Sequence, residues 1–158
     1  MANESYREGD WFAVPLRNGG FGFGVVARIN PGGILFGYFF GPVSRDLPNV
    51  DAFSTFKAED AIMVARFGHL GLKDGSWFNL GQAKQWNRGD WPIPSFCRYE
   101  ELTGRSLRVE YDQNDPNRVV KLDPVPPGAS EQIPKDRLLG AGALEKILTS
   151  SLSDGSLP

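Results

Sequence analysis

Residues 10–40 read DWFAVPLRNGGFGFGVVARINPGGILFGYFF, and this stretch decides the fold. Apolar side chains recur at every second position in residues 10–16, which is the period of a strand with one buried face. The Asn-Gly-Gly at 18–20 supplies residues that readily adopt the positive φ of a hairpin turn. Residues 20–29 and 34–40 follow as two more apolar runs, separated by a Pro-Gly-Gly turn. The stretch therefore predicts a three-stranded antiparallel meander.

The second of these strands carries an unusual glycine series at positions 20, 22 and 24, alternating with Phe21, Phe23 and Val25. One face of the strand is then bare, so another backbone or an aromatic ring can approach it closely. The series superficially resembles a dinucleotide-binding fingerprint. That fingerprint needs a following helix, whereas β-branched and aromatic residues continue the strand here, and we expect no cofactor-binding site.

Outside the meander, alternation predicts a fourth strand at 61–67 and a second hairpin from 105–111 and 118–122. Residues 84–94 contain two prolines that a central strand would not tolerate, so they predict a loop. The predicted fold class is mostly β: a strongly curved antiparallel sheet, or an open SH3-like barrel, with a short C-terminal helix.

The pattern divides the chain into four parts. Residues 8–122 are predicted to form a single β domain. Four prolines in residues 123–134 predict a stiff, extended linker. Residues 135–149 carry leucines at helical spacing and predict a C-terminal helix. Residues 150–158 are expected to be a flexible tail.

The charge balance excludes some partners. The 17 Lys and Arg residues and 19 Asp and Glu residues give a net charge of −2, with no basic stripe that would neutralise a phosphate backbone. We therefore expect no nucleic-acid partner. The longest apolar run, residues 32–41, is about half of what a membrane helix needs, so no membrane partner is expected either. The start of the chain has no secretion-signal pattern and Cys97 is the only cysteine, which predicts a cytoplasmic location.

Residues with catalytic chemistry are few. His69 is the only histidine, so a multi-histidine metal centre is excluded and any Ser-His or Cys-His pair would have to use it. Its Gly-rich setting favours a structural or exposed role, and Cys97 is more typical of a buried free thiol. The carboxylates are scattered. We predict no catalytic residues, no metal ligands and no cofactor.

The segment with the clearest functional chemistry is the predicted loop around residues 84–94. Trp and Arg are frequent anchors at protein interfaces, and recognition often uses loops on a rigid β scaffold. The candidate partner-binding residues are Trp86, Arg88, Asp90 and Trp91. If they bind a partner, at least two of Trp86, Arg88 and Trp91 should be exposed. The alternative is that these rings fill the core.

Three runs together resemble the immunity protein 26 family of bacteria. They are EGDWFAVPL at 8–16, GFGFGVVAR at 20–28 and GILFGYF at 33–39, and DGSW at 74–77 and WP at 91–92 are also similar. The resemblance covers residues 8–122. It implies a mostly β protein encoded beside a polymorphic toxin, whose partner is that cognate toxin and which neutralises it without catalysis.

Two alternatives remain at this point. Some relatives carry a phosphotriesterase label, but a binuclear hydrolase needs several histidines and this chain has one, so a hydrolase is the less favoured alternative. The other is a small β-barrel module that binds a peptide or another ligand and has no connection with toxins. The toxin's identity, the surface that binds it and the oligomeric state are open.

Overall fold

The computed structural model describes residues 6–126 and 128–153. Within them, nine strands form two sheets. The strands are β1 (Asp10–Pro15), β2 (Phe21–Asn30), β3 (Ile34–Ser44), β4 (Met63–Gly68), β5 (Phe78–Gln82), β6 (Phe96–Glu100), β7 (Arg105–Asp112), β8 (Asp115–Pro124) and β9 (Leu138–Leu139). The α-helices are α1 (Leu70–Lys73) and α2 (Ala141–Ser153), and short 3-10 helices span Val50–Phe53, Ala58–Asp60, Arg88–Asp90 and Ser130–Gln132.

The larger sheet has the strand order β5-β1-β2-β3-β4-β9, and the smaller has the order β6-β7-β8. All pairs are antiparallel except β4 with β9. The register between β2 and β3 shifts twice, and such bulges strengthen the local twist of a sheet. The predicted fold class is confirmed: the protein is mostly β, with curved antiparallel sheets that do not close and a short C-terminal helix.

The larger sheet buries apolar side chains on both faces because neighbouring residues of β1 point in opposite directions. Trp11 belongs to the core between the two sheets, together with Phe96 and Val109 of the smaller sheet. Phe12 belongs to the core on the opposite face. There Trp77 stacks on Phe12 with planes 4° apart. The sequence predicted one buried face for residues 10–16, but both faces are buried, because the smaller sheet covers the second one.

The glycines of β2 let α2 and aromatic rings approach the sheet. A Cβ on Gly22 would lie 2.8 Å from Leu148 Cδ2 and 2.9 Å from Leu152 Cδ1, and one on Gly24 would lie 2.6 Å from Phe12 Cζ. The bare strand face expected from the sequence is thus where the C-terminal helix packs, with its leucines buried.

The helix starts and ends later than expected. We predicted it at 135–149, but α2 begins at Ala141 because the preceding residues pair with strands: Asp136 N donates to Cys97 O at 2.8 Å and β9 pairs with β4. The helix continues to Ser153 because Leu152 is buried, so the tail predicted at 150–158 is helical as far as 153. Residues 154–158 of that tail and Pro127 of the predicted linker lie outside the described residues. The domain bounds at 8–122 remain a prediction.

Besides β9, two further strands were not expected. β5 extends the edge of the larger sheet next to β1, and β6 pairs with β7. In addition, β8 begins at Asp115, three residues before the predicted 118. None of the described helices is both long and apolar enough to span a membrane.

Candidate functional site

A groove of about 610 Å³ opens between two loops on one side of the larger sheet. One wall is formed by residues 53–59 and the other by residues of the 83–91 loop, with Trp11 of β1 at the base. The first loop follows β3 and the second follows β5. The groove therefore combines two connections of the sheet that are far apart in the chain.

Aromatic rings pack tightly around the base of the groove. Phe53 stacks on Trp11 with ring centroids 4.5 Å apart, and Phe56 meets Trp11 edge-on at 5.8 Å. From the other wall, Trp91 also meets Trp11 edge-on, at 5.9 Å, and Trp86 stacks on Trp91 at 5.8 Å. These distances and orientations are the favourable ones for aromatic pairs. The rings connect both walls of the groove to the sheet.

Backbone caps shape the wall at 53–59. The Asn49 side chain accepts from Asp51 N at 2.9 Å and so caps the first 3-10 helix, after which Phe56 N donates to Phe53 O at 3.0 Å. The carboxylate of Asp60 accepts from Lys57 N at 2.9 Å. Capped short helices keep this long connection ordered although most of its side chains are exposed.

Three polar side chains hold the opposite loop, and two of them, Arg28 and Tyr38, are buried. Arg28 Nη2 donates to Arg88 O at 3.4 Å, and the Tyr38 hydroxyl donates to Pro92 O. The Gln113 amide pairs with both backbone groups of Ile93, at 2.8 Å to the N–H and 2.9 Å to the carbonyl. A loop with its carbonyls satisfied in this way is positioned by the scaffold beneath it.

Burial changes the acidity of two of these groups. The pKa of Arg28 is lowered, first by burial and then by the nearby positive charge of Arg88. Burial raises the pKa of Tyr38 to about 12, against a smaller opposing effect of Arg28. Tyr38 is therefore a neutral donor over the physiological range, and Arg28 binds backbone carbonyls beneath the loop.

The structure brings three of the four predicted partner-binding residues to the groove. Trp86 is half-buried and Asp90 exposed, while Trp91 is only 6% exposed and belongs to the core. The side chain of Arg88 does not line the groove, because its Nε donates to Glu8 Oε1 at 2.8 Å. Of Trp86, Arg88 and Trp91, the first two retain partial exposure. Their role in binding stays a prediction.

The wall at 53–59 contains none of the four predicted partner-binding residues. The sequence predicts residues 41–59 as a surface excursion, and its length makes it the next candidate surface should the 84–94 loop not bind. Phe53 and Phe56 were a signal that this polar, turn-rich segment folds back on the core.

The other residues singled out in the sequence lie elsewhere. His69 Nδ1 is hydrogen-bonded to the Tyr6 hydroxyl at 2.7 Å beside α1, and Cys97 is a half-buried free thiol in β6. Within residues 6–126 and 128–153, no three His, Cys, Asp or Glu side chains are grouped so that they could hold a metal ion.

A second polar cluster lies between the sheets, away from the groove. The Asp136 carboxylate, 2% exposed, accepts from Arg98 Nη2 at 2.8 Å, from the Tyr111 hydroxyl at 2.8 Å and from Arg66 Nη2 at 3.2 Å. Arg66 also lies over the Tyr111 ring, 4.4 Å from its centroid. Burial, followed by the hydrogen bond to Asp136, raises the pKa of Tyr111, and the same carboxylate raises that of Arg98. The cluster joins both sheets to the segment before α2, which is a structural role.

A family of known proteins matches much of the chain. The family described as Immunity protein 26 matches residues 7–107, which is more than half of the 158-residue chain and includes both groove loops. No curated protein and no solved structure matches significantly.

Proposed function

Because the chain belongs to the immunity protein 26 family, we propose that it binds a cognate bacterial toxin and neutralises it by covering a functional surface of that toxin. In this proposal the protein acts without turnover, in the cytoplasm of the cell that makes the toxin. The toxin belongs to a polymorphic toxin system and is encoded beside the immunity gene. The groove between residues 53–59 and 83–91 is the proposed contact surface.

The aromatic lining of the groove is the observation that supports this choice of contact surface. Half-exposed Trp86 and Phe56 rest on buried Trp91, Trp11 and Phe53, so they present rigid apolar area without first having to be ordered. Anchors of this kind, surrounded by polar residues, are typical of protein interfaces. Both loops also fall within the residues that match the family.

The groove also favours one alternative. Its volume of about 610 Å³ is within the range of small-ligand pockets, so a peptide- or ligand-binding module unrelated to toxins would use the same walls. Only the immunity function predicts that the protein protects a cell that makes the toxin, so this property distinguishes the two.

The test is co-expression with the toxin encoded by the adjacent gene. We expect the chain to restore growth of cells that make this toxin and to co-purify with it, and the toxin in the complex to keep its intact mass, since no turnover is involved. Absence of both rescue and co-purification would contradict the proposal. A toxin recovered in chemically altered form would instead support an enzyme.

The surface is tested with matched aromatic variants. Trp86→Ala removes the half-exposed ring of the groove, whereas Tyr99→Ala removes a ring that is 64% exposed on β6, outside the groove lining. We expect Trp86→Ala to weaken toxin binding by about 2 kcal/mol or more and Tyr99→Ala to leave it unchanged. Equal affinities for the two variants would place the interface elsewhere.

A further inference from the structure

The groove has a charge pattern as well as an aromatic interior. Its lining includes two acidic side chains, Glu59 on one wall and Asp90 on the other, and one basic side chain, Lys57. All three are exposed. An occupant would therefore meet aromatic rings at the bottom of the groove and a carboxylate on each side.

The two carboxylates are unpaired within the described chain. Neither Glu59 nor Asp90 takes part in an ion pair or a hydrogen bond through its side chain among residues 6–126 and 128–153. The nearest cation in sequence to Asp90 is Arg88, but that guanidinium is paired with Glu8 at 2.8 Å. Within the described residues, the negative charge of Asp90 is thus left unpaired.

From these features we infer that the groove receives a lysine or arginine side chain presented by the toxin. The inference rests on the function proposed above. The alkyl part of such a side chain packs against Trp86 and Phe56, since long basic side chains bury their stems along apolar surface. Its cationic head is attracted to the ring faces and forms charge-assisted hydrogen bonds with Glu59 and Asp90.

An apolar anchor fits the same observations less well. A leucine or phenylalanine would bring apolar surface against two unpaired carboxylates and take water from them without offering a donor, which disfavours binding. Lys57 does not cancel this cost, because the groove lining contains two acidic side chains and only one basic side chain.

The first test measures affinity for the toxin with charge variants of the full chain. Glu59→Gln with Asp90→Asn removes both groove carboxylates. Glu101→Gln with Glu131→Gln makes the same change in net charge at two exposed residues outside the groove. We expect the groove pair to weaken binding roughly tenfold or more, and the control pair to change it less than about threefold. Between about 50 and 300 mM salt, the affinity of the wild type should fall more steeply than that of the groove pair.

The second test needs no toxin. A capped pentapeptide with a central arginine between glycine and serine residues is titrated into the isotope-labelled protein, and so is its leucine counterpart. The arginine peptide should shift the indole N–H signal of Trp86 saturably, and the shift should disappear in the Glu59→Gln, Asp90→Asn variant. The leucine peptide should give a smaller shift.

The outcomes separate this inference from the proposed function. If the toxin binds wild type and groove pair equally, the immunity function stands and the basic anchor is wrong. If the arginine peptide binds in the groove but the toxin does not bind at all, the groove chemistry stands and the toxin function is wrong. A leucine peptide that binds more tightly than the arginine peptide overturns the inference directly.

Discussion

The indole of Trp11 and the ring of Phe53 lie parallel, with centroids 4.5 Å apart and planes 5° apart. Trp11 belongs to the first strand of the sheet, whereas Phe53 ends a 3-10 helix in the long connection after β3. This stack attaches one wall of the groove to the scaffold. The shape of the candidate site therefore depends on a contact between residues that are distant in the chain.

The stack leads to a prediction for Phe53→Ala. Phe53 is 4% exposed, so we expect its truncation to lower the free energy of unfolding by about 3–5 kcal/mol. Leu47→Ala, in the same connection but at a side chain that is 44% exposed, should change it by less than about 0.5 kcal/mol. Chemical denaturation of both variants measures the difference. Similar losses would show that the stack does not stabilise the fold.

The polar cluster between the sheets leads to a second prediction. Asp136→Asn removes the charge that Arg66 and Arg98 share, and Arg66 is buried. Breaking a buried pair from one side leaves an uncompensated charge, so we expect a loss of about 3–5 kcal/mol in the free energy of unfolding. Asp123→Asn, which breaks the exposed pair with Lys121, should cost about 0–1 kcal/mol. If Asp136→Asn lowered the free energy of unfolding as little as Asp123→Asn does, the cluster would have no stabilising role.

Close packing of the sheet predicts a difference between two glycines. A Cβ on Gly37 would lie 2.6 Å from Val25 O, a backbone atom that cannot move without disturbing the sheet, whereas a Cβ on Gly68 would meet nothing within 4 Å. We expect Gly37→Ala to destabilise by about 1–3 kcal/mol. Gly68→Ala should stay within about 0.5 kcal/mol of the wild type. Thermal melts that rank the two variants in the opposite order would contradict this packing.

The raised pKa of Tyr38 predicts a loss of folding stability at high pH. Burial raises its pKa in the folded state to about 12, above the value of about 10 in an unfolded chain. The folded state then holds the proton more tightly, so this contribution to stability is fully present below pH 10 and is lost as the pH rises towards 12. Between these values the free energy of unfolding should fall faster in wild type than in Tyr38→Phe, by up to about 1.4 kcal/mol per pH unit.

The measurement is denaturant unfolding of both proteins across that range. Tyr38→Phe also loses the hydrogen bond to Pro92, so its stability at neutral pH should be lower, and only the slopes are compared. Identical slopes would mean that Tyr38 titrates no differently in the folded and unfolded protein.

Local patterns in the chain were sufficient for the central sheet. Alternating apolar residues and glycine turns predicted the meander of residues 10–40 and the strand at 61–67, because a strand with a buried face needs a period of two and its hairpin needs residues of positive φ. Gly19 and Gly20 do have positive φ. The edge strands β5 and β6 gave weaker signals, since a short strand is defined mainly by the neighbour that it pairs with.

The candidate groove was predictable only in part. Trp86, Asp90 and Trp91 were chosen for their chemistry, and all three line it. Arg88 was chosen for the same reason, but its side chain pairs with Glu8 and does not line the groove. The opposite wall was a candidate only through the length of its connection, because Phe53 and Phe56 are positioned by contact with Trp11 and not by a period of their own.

The sequence by itself determined the fold class, the antiparallel meander and the resemblance to the immunity protein 26 family, since each depends on residue types at short, regular spacing. The tertiary structure alone decided which loops meet at the groove, which charges remain unpaired there, and how Asp136 reaches Arg66 across 70 positions of the chain. These features depend on side chains that are distant in sequence and meet only after folding, because stacking and ion pairing act over a few ångströms and leave no periodic trace in the chain.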